Sequence, residues 1–72
     1  MPKLPRVTGE ALLKQLHRHG FIVVRVRGSH DVVQHSDGRY SVVPVHAGEA
    51  IGPGLLRKIL NQTELSPDDF DD

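Results

Sequence analysis

At 72 residues the chain is too short to build more than one hydrophobic core, which excludes a multi-domain enzyme. Hydrophobic residues make up 38% and cysteine is absent, so a core is possible, while disulfides and thiolate zinc sites are excluded and a reducing compartment is expected. Nine Lys and Arg balance nine Asp and Glu, but the balance is uneven along the chain: residues 1–58 hold nine basic and four acidic side chains, net +5, and Glu64, Asp68, Asp69, Asp71 and Asp72 supply the opposing −5.

No apolar run approaches the roughly 18 residues that cross a bilayer, and the N-terminus lacks the apolar stretch of a signal peptide. A soluble cytoplasmic protein with no membrane contact is expected, organised as one domain over residues 1–72 with a core from about 5 to 65 and an acidic tail over 66–72.

Thr8 is an N-cap candidate, Glu10 suits the first helical turn, and Leu12, Leu13 and Leu16 form an apolar stripe that Gly20 terminates. Val7 before the cap is placed to pack on Leu12. Lys14 and Arg18 share one side of this helix, either as a solvated face or facing an anion. Phe21 to Arg27 is short and β-branched between two glycines, which predicts a strand. Alternation groups Phe21, Val23, Arg25 and Arg27 on one face and Ile22, Val24 and Val26 on the other, the second set being the more uniform core face. A tight connection at Gly28 and Ser29 leads to a second strand ending near His35, and Asp37-Gly38 predicts a hairpin to a third strand over Tyr40 to Val45. Pro44 lacks a ladder donor and belongs where pairing finishes or at an edge. Pro53 suits the first position of a helix whose apolar face is Leu55, Leu56, Ile59 and Leu60. Ser66, Pro67 and Asp69 have the spacing of a last short helical turn. The predicted class is α+β: helix, three strands, helix, with a three-stranded antiparallel sheet covered by two helices on one face and open on the other.

Five histidines are the unusual feature of the composition. His17 and His19, two apart on a helix, diverge by about 200°. With no Cys and no HExxH pattern, no metal site is expected, and His17, His19 and His35 are expected in solvent. His30 differs in following Gly28 and Ser29 at the tight entry to a strand, close after Arg25 and Arg27. A histidine near arginines suffices for RNA cleavage, because the base removes a proton from the substrate's own 2′-hydroxyl and cations stabilise the phosphate. The spacing alone fits a catalytic His30 or an ordinary strand-end histidine.

Gly28-Ser29-His30, then Val43-Pro44-Val45-His46, then Pro53-Gly54-Leu55-Leu56-Arg57-Lys58-Ile59-Leu60 stand in an order and at separations that resemble the HicA (YcfA-like) family of toxin RNases, over about Leu4 to Leu65. The resemblance implies a fold like a double-stranded-RNA-binding domain. It also implies a type II toxin that acts as an mRNA interferase, an endoribonuclease that cleaves messenger RNA independently of the ribosome, and a HicB-like antitoxin partner. By the same resemblance His30 is the catalytic residue, Gly28 and Ser29 position it, and His46 has either a structural role or an RNA contact. Arg25, Arg27 and Lys58 are candidates to hold phosphates, and no metal or other cofactor is expected. Many members of the family carry a second histidine after the catalytic one, where this chain has Asp31. An aspartate near a phosphate path repels it, which gives weight to an alternative, a non-catalytic RNA-binding module of the same fold. A protein-interaction role without RNA is a further alternative. Phe21, Tyr40 and Phe70 are too few aromatics for a platform that reads single-stranded bases.

Overall fold

A computed structural model describes residues 6–70; the start of the expected core at Pro5 and the last acids, Asp71 and Asp72, lie outside the described residues. Helix α1 spans Gly9–Arg18, strands β1, β2 and β3 span Phe21–Arg27, His30–His35 and Tyr40–Pro44, helix α2 spans Pro53–Thr63, and a 3-10 turn covers Pro67–Asp69. The three strands form one antiparallel meander in the order β1-β2-β3, with the expected α-β-β-β-α arrangement around it.

Helix α1 begins where Thr8 Oγ1 accepts the Ala11 amide at 3.2 Å, as its sequence predicts. Leu12 and Leu16 are fully buried, and the helix ends against Gly20 at φ +91°. The residue before the helix is fixed from outside it. The Ile51 amide donates to the Val7 carbonyl at 2.8 Å, so the loop after β3 is tied back to the start of α1.

The sheet corrects the expected core face of β1. Ile22, Val24 and Val26 are exposed by 56%, 49% and 61%, whereas Phe21 is buried. The register explains why. Phe21 lies opposite His35 and Val23 opposite Val33, and Val33 in turn lies opposite the buried Ser41, so these residues look toward the helices. Between Val23 and Arg25 the register shifts by a bulge, after which Arg25 pairs with Val32 and Arg27 with His30. A bulge places one extra residue in the strand and reverses the alternation beyond it. The two arginines therefore leave the face of Phe21 and Val23 and join the open face. β1 is also a sheet edge, so its later valines extend past the cover that α1 and α2 provide.

The connection from β2 to β3 has the pattern of a three-residue hairpin loop, with Gly38 at φ +99° and the His35 amide donating to the Arg39 carbonyl at 2.8 Å. The Asp37 carboxylate accepts the Arg39 backbone amide at 3.0 Å and its guanidinium at 2.8 Å, and these bonds hold its pKa below the ordinary carboxylate value. Arg39 then lies over the Phe21 ring at 5.2 Å and donates to the Thr63 carbonyl, joining the hairpin tip to the end of α2.

Helix α2 starts with Pro53 in its first turn and buries Leu56, Ile59, Leu60 and Thr63. Leu55, expected with that apolar face, is 39% exposed and turns toward the open side of β3. The helix ends on Glu64 at φ 60°, with the Leu65 amide donating back to the Leu60 carbonyl at 3.1 Å, a Schellman-type ending in which the left-handed residue is not glycine.

The last turn is docked on the domain. The Asp69 carboxylate accepts the Ser66 amide at 2.7 Å, His19 Nε2 donates to the Asp69 carbonyl at 2.9 Å, and Phe70 packs on the core. His19 and His35, which the sequence places in solvent, both carry structure. His35 meets Phe21 edge to face at 5.1 Å and its Nδ1 accepts the Asp37 amide at 3.1 Å. Because Asp69 is held at His19, its acids sit at the Phe21–His35 end of the sheet. The length of β1, roughly 20 Å, separates them from Arg27 and His30.

Candidate active site

His30 is placed by a two-residue turn. Arg27 and His30 pair across it, and Gly28 takes φ +58° at its first position, the pattern of a type II′ hairpin that glycine adopts without strain. A side chain at Gly28 would meet nothing within 4 Å, so the backbone angle is what calls for glycine there. The following carbonyl, that of Ser29, accepts the Val45 amide at 2.6 Å. His30 is thus held between Arg27 on one strand and Pro44 on the other. Pro44 ends the edge strand β3, where its missing donor costs the ladder nothing.

The imidazole of His30 faces an open groove of about 220 Å³ lined by His30, Val42, Pro44, Leu55, Lys58 and Gln62. Leu55, Lys58 and Gln62 recur at helical spacing on the side of α2 that adjoins the buried Leu56, Ile59 and Leu60, with Leu55 one turn before Ile59. One wall is therefore the open face of the sheet and the other is α2. His30 is exposed, and among the described residues no hydrogen bond or ion pair engages its ring, in contrast with His19 and His35. A ring without a structural partner is open to a ligand in the groove.

The other residues singled out from the sequence fall in different places. Lys58 shares the groove with His30. Arg27 lies directly opposite His30 and Arg25 opposite Val32, so both stand on the open face beside the groove without lining it. Gly28 and Ser29 form the turn. His46 is exposed in the loop beyond Pro44 and is not among the lining residues. Asp31 pairs with Val26 and with the buried Val43, which puts it on the helix side of the sheet, away from His30. Lys14, His17 and Arg18 rim a separate shallow depression with Leu13 and Val23. Among the described residues no three His, Asp or Glu side chains come together as a metal-binding group would.

The sequence does not mark Val42, Pro44, Leu55 or Gln62 as site residues. The signal for Leu55 and Gln62 was present in their spacing from Lys58, three and four residues away, but it reads as a groove only once β3 is seen beside α2.

The family model of the HicA toxin of bacterial toxin-antitoxin systems matches residues 9–65, which takes in every strand, both helices and the His30 turn. The chain belongs to the HicA toxin family. No curated protein matches the chain at a significant level. Membership of the HicA family makes the protein the toxin of a toxin-antitoxin pair and implies an antitoxin partner. No helix among the described residues is long and apolar enough to cross a membrane.

Proposed function

We propose that this HicA toxin is an endoribonuclease of messenger RNA, acting in the cytoplasm without a metal, with His30 as its general base and a HicB-like antitoxin as its natural inhibitor. The observation that carries the reading is the unengaged imidazole of His30 in one groove with Lys58, on a sheet face that the bulge also supplies with Arg25 and Arg27. The imidazole takes the proton of a ribose 2′-hydroxyl. The 2′-oxygen then bonds to the adjacent phosphorus as the bond to the 5′-oxygen breaks, and the departing oxygen takes a proton from water. The products carry a 2′,3′-cyclic phosphate and a 5′-hydroxyl. Lys58 meets the charge that builds on the phosphate oxygens, and Arg25 and Arg27 hold the chain on either side.

Asp31 lies on the helix side of the sheet, opposite the buried Val43. Its place on the helix face takes its charge off the side where the phosphate would lie, so the RNA-binding module without chemistry loses its main support. Incubating the purified protein with a labelled transcript in excess EDTA is expected to yield cut RNA. Intact RNA of shifted mobility would contradict the nuclease reading in favour of binding, and cleavage lost solely on chelation would contradict the absence of a metal.

A further inference from the structure

Ser41 is fully buried on the helix side of β3, and its hydroxyl donates to Oε1 of Gln62 at 2.6 Å. Gln62 also lines the groove that holds His30 and Lys58. We propose that Gln62 is a phosphate-binding residue of this groove, with Ser41 as the positioning residue that fixes which end of the amide faces the substrate. The proposal rests on the endoribonuclease reading and adds to it a neutral donor whose orientation is set in advance.

A glutamine amide has an acceptor end and a donor end, and with the acceptor occupied by a buried hydroxyl the end left over is the NH2 group with its two protons. No hydrogen bond occupies that group among the described residues. Two N–H donors beside a lysine ammonium suit the non-bridging oxygens of a phosphate. They also avoid the entropic cost that a free side chain would meet on binding, because Ser41 already holds the amide. A preset donor aimed at developing negative charge is worth far more than one that must reorient, and removing such a donor costs about 100-fold to 1,000-fold where it acts on the transition state alone.

The bland alternative is that Gln62 only pins α2 to β3. Gln62→Glu separates the two, because a carboxylate still accepts the Ser41 hydroxyl and keeps the pin, yet turns a negative charge toward the phosphate. The expected result is a melting temperature near that of the wild type with RNA cleavage reduced by at least about tenfold, and weaker affinity for an RNA-length oligonucleotide with 2′-deoxyribose throughout, which binds without being cut. Ser41→Ala is expected to lower cleavage by a smaller factor, since it frees the amide without removing it. Should Gln62→Glu fail to fold, Gln62→Met at the same helix position provides the comparison, with loss of cleavage and affinity again expected. Wild-type cleavage and affinity in the folded variant would overturn the role of Gln62 and leave the nuclease reading intact. A wild-type protein that bound the oligonucleotide but cut no RNA would instead remove the nuclease reading, and unequal affinities would still uphold Gln62. A wild-type protein that did neither would overturn both.

Discussion

His30→Ala is expected to lower RNA cleavage by about 100-fold to 10,000-fold, the usual range for loss of a general base, and to abolish growth arrest on expression. The same substitution is expected to leave stability within roughly 0.5 kcal/mol of the wild type, because the side chain is exposed and no partner among the described residues is left behind. That separation is what distinguishes His30 from His19 and His35, whose rings hold the Asp69 carbonyl and the Asp37 amide. Removing either of those would cost stability first. Single-turnover cleavage of a labelled transcript and a thermal melt on the same preparation check both halves, and a folded variant cutting at the normal rate would place the base elsewhere.

Gly9→Ala is expected to have the largest effect on stability. A Cβ at this buried first residue of α1 would overlap the carbonyl oxygen of Pro44 and stand 3.0 Å from the Val45 Cα. Alanine gains about 1 kcal/mol in helix propensity over glycine, but forcing backbone apart at a packed contact costs about 1–3 kcal/mol and occasionally more. The clash wins because neither atom is the end of a flexible side chain: Pro44 is paired with His30, and Val45 is bonded to Ser29. A net loss of up to about 2 kcal/mol is expected, which lowers the melting temperature of a domain this size by up to roughly 8–16 °C. Cleavage should fall as well, since Pro44 is also a wall of the groove. Gly54→Ala is the matched control. Its added Cβ meets nothing within 4 Å and its φ is not positive, so it should be neutral or slightly stabilising. Equal melting temperatures for the two variants would show that the close approach at Gly9 is not a constraint.

Much of this architecture is legible in the sequence because local chemistry decides it. Thr8 and Gly20 bound α1, Pro53 opens α2, and the glycine turns separate three short β-branched runs in an order that leaves few folds to choose between. What is not legible depends on partners distant in the chain. The face assignment of β1 fails because strict alternation assumes an unbroken ladder, and the bulge after Val23 arises from pairing with β2 that no residue type in β1 announces. The error matters for function: alternation ties Arg25 and Arg27 to Phe21, and the bulge is what brings them to the side of His30. Leu55 is misplaced for a related reason, since a leucine on a helix reads as core until the neighbouring element shows which side is covered. His30, Lys58 and the glycine turn are visible as candidates, two of them through resemblance, but that α2 carries Lys58 and Gln62 to the same groove is a fact of packing. The acidic end illustrates the same limit. Its charge suggests a tail that solvates the end, shields the basic face or sets the geometry of the antitoxin complex, and the described part is held at His19, at the other end of the sheet from His30.

The central claim is that the RNA supplies its own nucleophile and His30 takes its proton. It is tested most directly with a short labelled RNA of known cleavage position and a second copy carrying one 2′-deoxynucleotide 5′ to the scissile phosphate. The account predicts that the first is cut to a 2′,3′-cyclic phosphate and a 5′-hydroxyl and that the second is not cut at that position. Cleavage of the deoxy-substituted strand at the same bond would contradict it, because that bond could then break only with a nucleophile other than the 2′-hydroxyl.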